Sequence, residues 1–98
     1  LRRAITHLST YDRPLLCTEW LARSAGSNVE LIDDFAELGV GAYCWGLVSG
    51  RSQTVQPWTS WVRPDRGQPD PWFHDLLRAD GTPYDADEVT LLRRATNA

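Results

Sequence analysis

Hydrophobic positions in this chain fall into two short unbroken runs and three interrupted stripes. The first run, Pro14-Leu15-Leu16-Cys17, closes on Thr18-Glu19-Trp20, and the second is Val40-Gly41-Ala42-Tyr43-Cys44-Trp45. Continuous apolar runs of this length, bounded by turn residues, predict strands buried on both faces, over about Leu15–Glu19 and Val40–Trp45. Pro14 suits the first residue of a strand, where its missing N–H costs no ladder bond. The stripes predict helices. Ile5 and Leu8 share one side of residues 1–9, with arginines on the other. Leu31, Ile32, Phe35 and Leu38 recur at helical spacing and stop at Gly39, and Val89, Leu92 and Ala95 mark a last helix. Ser27-x-x-Glu30 and Asp85-x-x-Glu88 read as capping boxes at the starts of the second and last helices. Asp70-Pro71 reads as an N-cap followed by proline at N1, opening a short helix through Arg78.

These elements divide the chain into the end of a preceding helix (1–9), a βαβ unit (14–46), a long loop without periodicity (47–69) and closing helices (70–98). The fold class is α/β, with parallel strands and a right-handed crossover. Two parallel strands cannot close a core of their own, because both faces need cover and both edges stay open. The pattern therefore looks like part of a larger sheet. A (β/α)8 barrel takes about 250 residues, so two βα units would form its last quarter.

Composition narrows the function. The chain has 98 residues and a net charge of −3, and its ten basic residues are all Arg, scattered but for two short pairs. No basic stripe argues for nucleic acid, and no apolar run is long enough for a bilayer. The sequence opens on Leu1 and contains no Met, as a processed product or a piece of a longer chain would. No signal-peptide pattern opens it, and secreted and cytoplasmic locations both stay open. Five Trp in this length is the outlier; their flat faces suit either core packing or stacking on sugars and bases. Cys17 and Cys44 both sit in apolar runs and read as buried free thiols; if Glu19 and Trp45 both face a barrel mouth, alternation puts Cys17 inward and Cys44 towards the helices. Neither cysteines nor histidines show the close spacing of a metal site, and no cofactor is implied.

Glu19 is the residue that needs explanation. A carboxylate closing a buried strand loses hydration unless it is paired or opens to a cleft. In α/β barrels that end of the strand is where active sites sit.

The segment Arg13-Pro14-Leu15-Leu16-Cys17-Thr18-Glu19-Trp20 resembles the seventh strand of retaining (β/α)8 glycoside hydrolases of the large clan holding cellulases, xylanases and β-galactosidases. Val40 to Gly50 resembles the eighth strand and its following loop. Gln53-Thr54, Pro57-Trp58, Trp61, Trp72-Phe73-His74-Asp75 and Asp80-Gly81-Thr82-Pro83-Tyr84 resemble a cellulase-like or 1,4-β-xylanase-like subgroup. The likeness runs from about Arg13 to Arg94. It implies that Glu19 is the catalytic nucleophile and that Trp45 floors the −1 sugar subsite. It also implies that the acid/base, a Glu after Asn on strand four, belongs to a missing N-terminal barrel segment, in the same or another chain. The expected partner is thus a β-linked carbohydrate, with neither nucleic acid nor membrane. The isolated chain is expected to be inactive.

Blander readings stand beside these. Glu19 could be an ordinary strand-end carboxylate or a salt-bridged one, with Arg23 as the candidate partner, and Trp45 could be core packing. Trp58 and Trp61, with Gln53, could line positive subsites or pin the long loop. Trp72 and Phe73 read as packing on the short helix, His74 as structural or as a charge pair with Asp75, and His7 as a surface residue. A non-catalytic carbohydrate-binding or structural barrel fragment is the alternative function.

Overall fold

The computed structural model describes residues 1–64 and 67–97; Asp65 and Arg66 of the long loop and Ala98 of the closing segment lie outside the described residues. Among the described residues three α-helices and two small sheets follow in the order α1 (Arg2–Ser9), β1 (Leu16–Trp20), α2 (Leu31–Glu37), β2 (Gly41–Cys44), β3 (Val48–Ser49), β4 (Leu77–Arg78) and α3 (Ala86–Thr96). Short 3-10 turns cover Arg23–Ala25 and Trp58–Trp61. The result is a small mixed α/β structure, and among the described residues no sheet exceeds two strands.

β1 and β2 pair in parallel, with Leu16 opposite Gly41, Cys17 opposite Ala42 and Trp20 opposite Cys44. Three steps on β1 thus face two on β2, a bulge that shifts the phase of β1 beyond Cys17. The bulge overturns the alternation expected for the cysteines. Cys17 faces the helices together with Cys44, and both pack against the core. Thr18 and Glu19, the two residues inside the bulge, are both exposed. Both cysteines are free thiols.

The core lies on the helix side of this sheet. Ile5, Trp20, Leu21, Val29, Phe35 and Leu76 form its buried cluster, flanked by Leu31, Ile32, Leu91 and Leu92. Trp20 meets Phe35 edge to face at 5.3 Å between ring centroids. Burying such aromatic and aliphatic side chains stabilises by roughly 1.5–3 kcal/mol each. Leu8, expected on the buried side of α1, is instead 47% exposed, so Ile5 alone anchors that helix. Surface ion pairs add lateral ties: Arg2 to Asp34 and Glu37 of α2, and Arg94 to Asp33. The hydrogen bonds from Arg2 to Glu37 and Asp34 raise its pKa above the usual arginine range.

The opposite face of the sheet is apolar and open. Leu16 and Tyr43 are each more than three-fifths exposed there, and Trp45 is about half exposed.

Three local expectations are corrected. Residues 70–76 form no helix. The N–H groups of Phe73, His74, Leu76 and Leu77 donate to Val55, Thr54, Leu47 and Leu47 carbonyls, so tertiary partners replace the helical ones. Asp70-Pro71 is a cis peptide, and Leu77–Arg78 becomes β4, parallel to β3. The long loop is therefore not structureless: residues 47–55 are laced to 73–77. The Ser27 capping box does not form either. The hydroxyl of Ser27 accepts from the Leu21 N–H at 3.1 Å, and α2 starts behind Glu30 with no side-chain cap. At α3, Asp85 does cap, accepting from the N–H groups of Asp87 and Glu88. Glu88 does not fold back but reaches Arg23.

Candidate functional site

The chain reverses sharply just after Glu19-Trp20, and that reversal builds the site. Leu21 is fully buried yet has φ of +76°, a left-handed conformation that costs a non-glycine residue of order 1–2 kcal/mol. Its surroundings hold it there from both ends. Its N–H donates to Ser27, and its carbonyl accepts from His74 Nδ1 at 2.5 Å. Gly46, at the corresponding end of β2, has φ of +86°. A Cβ on it would fall 2.6 Å from the Asp75 nitrogen, 2.7 Å from Thr54 Oγ1 and 2.8 Å from His74 Cβ. Only glycine lets the β2 end press this closely on residues 74–75.

Between these two strand ends and the long loop lies a concavity of about 800 Å³. Glu19, Trp45, Gln53, Trp58 and Trp61 all line it, so the structure brings the five sequence-predicted residues to one place. The Glu19 side chain is exposed and makes no hydrogen bond or ion pair with any described residue. The proposed pairing with Arg23 is overturned, since Arg23 points elsewhere and binds Glu88. Trp45 is half-exposed towards the concavity and sits edge-on to His74, at 6.5 Å between centroids. Trp58 packs edge-on against Phe73 at 4.8 Å, which pins the loop, and leaves more than half its surface open. Trp61 is 84% exposed at the rim. Gln53 directs its carbonyl oxygen back to the Val55 N–H at 2.8 Å, which leaves its amide NH2 outward.

Arg23 supplies the framework behind the site. Its guanidinium is buried and all five N–H donors find acceptors: both Glu88 carboxylate oxygens and the carbonyls of Trp72, His74 and Asp75. Its other face stacks on Tyr84, 4.7 Å from the ring centroid, and Tyr84 in turn lies flat on Trp72. Asp75 completes the frame, accepting from Thr54 N at 2.7 Å and Thr54 Oγ1 at 2.9 Å. His74 and Asp75, adjacent in sequence, thus look to different partners and form no charge pair.

The sequence reading gave no site role to four residues that line the concavity. His74 is 94% buried within this wall. Trp20 Nε1 and Gln56 Oε1 are buried without a partner, and Ser27 holds the Leu21 turn. His74 stood out by residue type alone, but its apparent partner Asp75 pointed away from the right one. A left-handed leucine has no signature in sequence.

Shifted acidities lie outside the concavity. Burial pushes the Cys44 thiol up to about 11, partly countered by Arg23. The Thr82 hydroxyl, then the Thr82 N–H, holds Asp80 below its ordinary value. Among the described residues no group of three or more His, Cys, Asp or Glu side chains gathers as a metal set, and no helix is long and apolar enough to cross a membrane.

No protein-family model matches the chain, and no curated protein and no solved structure matches it.

Proposed function

We propose that this chain is the nucleophile-bearing part of a retaining glycoside hydrolase, contributing strands seven and eight of a (β/α)8 barrel and acting on a β-linked poly- or oligosaccharide. The observation that carries this reading is the unpartnered Glu19 carboxylate at the C-terminal end of β1, opening into a concavity walled by Trp45, Trp58 and Trp61. A carboxylate beside aromatic platforms matches the needs of a sugar ring, whose C–H faces stack and whose anomeric carbon takes the nucleophile. The exposed apolar face of β1 and β2 and their open edges support the same reading, because parallel strands in barrels are covered on both sides.

In the retaining reaction Glu19 attacks the anomeric carbon as the glycosidic C–O bond breaks, and an acid protonates the departing oxygen. Water then cleaves the glycosyl ester, the same acid now serving as base. The two carboxyls stand about 5–5.5 Å apart in such sites. Glu19 is the one carboxylate among the described residues that line the concavity. That observation favours a second reading for the 98 residues by themselves, carbohydrate binding without hydrolysis.

A 2,4-dinitrophenyl 2-deoxy-2-fluoro-β-glycoside tests the nucleophile, since its leaving group departs without an acid. Peptide mass mapping is expected to find the fluorosugar ester on Glu19 and none in Glu19→Gln. Saturable sugar binding without that ester would sustain the binding reading and overturn the nucleophile. For simple aryl glycosides no turnover is expected; turnover abolished by Glu19→Gln would overturn the claim that the acid is missing. The coding sequence upstream is expected to place Asn-Glu at a strand end roughly 80–140 residues before Glu19.

A further inference from the structure

Among the described residues that line the concavity, His74 is the one ionisable side chain that is buried. Its backbone N–H donates to the Thr54 carbonyl at 3.1 Å, and its carbonyl accepts from Arg23. Its ring is flanked by Phe73, Trp58 and Trp45, at 4.6, 6.0 and 6.5 Å between centroids. The Leu21 carbonyl at Nδ1 can only accept, so the proton of the neutral ring resides on Nδ1. That leaves Nε2 as a lone-pair acceptor, and no described residue donates to it.

We propose that His74 Nε2 accepts a hydrogen bond from a hydroxyl of a sugar seated against Trp45, and so selects the ring's orientation in the concavity. This rests on the carbohydrate reading above and deepens it by naming a specificity-determining residue. A hydroxyl is the donor the site calls for: Glu19, lining the same concavity, and the lone pair of Nε2 both offer acceptors, while the tryptophans supply apolar faces. Orientation follows from rigidity. The imidazole cannot turn to present its N–H without breaking its bond to Leu21, and that bond also holds the Leu21 reversal. Arg23 and Glu88 act as positioning residues: Arg23 donates to the His74 carbonyl and Glu88 holds Arg23.

The test uses the 98-residue chain labelled with 15N at histidine, titrated with cellotriose and with xylotriose. Tryptophan fluorescence follows occupancy, and long-range 1H–15N correlations follow the two ring nitrogens of His74. The expected result is a protonated Nδ1 and an unprotonated Nε2 in the free protein, with Nε2 shifting along the same saturation curve as the fluorescence. His74→Phe, which keeps an aromatic ring, is expected to weaken binding about three- to tenfold, the worth of one neutral hydrogen bond. Because that variant also removes the bond to Leu21, the wild-type nitrogen shifts decide the matter. Fluorescence that saturates while Nε2 stays still would overturn the role of His74 and leave the carbohydrate reading standing. A free protein with its proton on Nε2 would overturn it equally. No fluorescence response to either sugar would overturn both.

Discussion

Arg23 and Glu88, 65 residues apart, meet in a two-pronged ion pair, Nε to Oε1 at 2.8 Å and Nη2 to Oε2 at 2.6 Å. The pair joins the turn after β1 to the first turn of α3, and the remaining arginine donors grip the backbone at 72–75. Both side chains are largely out of water, at 5% and 17% exposure. Removing one partner strands a buried charge. Arg23→Ala is expected to destabilise the fold by about 3–5 kcal/mol in urea unfolding. Arg23→Lys is expected to recover little of it, since three donors cannot replace five. A fully stable lysine variant would show that the carbonyl grip is idle.

Glu19→Gln is expected to leave stability within about 0.5 kcal/mol of the parent, because no described residue binds its carboxylate. The same substitution is expected to remove the fluorosugar ester entirely. Unfolding curves and mass mapping on one preparation check both. A large loss of stability would mean the carboxylate is structural.

Gly46→Ala is expected to cost roughly 2–4 kcal/mol, combining a left-handed backbone with contacts below 3 Å to residues 54, 74 and 75. Gly26→Ala, with a similar positive φ but open space around it, is expected to cost less. Comparing the two by thermal unfolding separates crowding from backbone preference.

Cys44 is expected to alkylate slowly. Burial raises its thiol to about 11 from 9.0, so in a Cys17→Ser background at pH 8 its rate with iodoacetamide is expected to be roughly a hundredfold below that of an unfolded peptide. The folded state disfavours the thiolate, and the unfolded chain ionises first as pH rises. Stability from this group is thus complete below about pH 9 and is lost between about 9 and 11. A stability that rises over that window would contradict the burial.

The two longer strands and the second and last helices were legible from their hydrophobic runs and stripes, whereas of the first helix's pair only Ile5 reaches the core. Leu31, Ile32, Phe35 and Leu38 need nothing beyond their spacing. What stayed hidden depends on partners far along the chain. The Asp70-Pro71 signal was sound local chemistry, but residues 73–77 took their hydrogen bonds from Val55, Thr54 and Leu47. Ser27 had the right neighbours for a cap and a better use in holding Leu21. The bulge between Cys17 and Trp20 reversed the side of Cys17, and no residue type announces a bulge. At the site, Glu19 and Trp45 stood out as strand ends, and Gln53, Trp58 and Trp61 through resemblance. His74 and Arg23 required knowledge of which carbonyls they would meet.

The left-handed turn at Leu21 makes one amide proton a gauge for the whole concavity. Its hydrogen bond to Ser27 lasts only while the left-handed turn is kept, and that turn is braced by the His74 imidazole on the Leu21 carbonyl. Exchange of the Leu21 amide with deuterium therefore reports each moment at which this turn lets go. Local opening of the concavity becomes readable without any ligand at all.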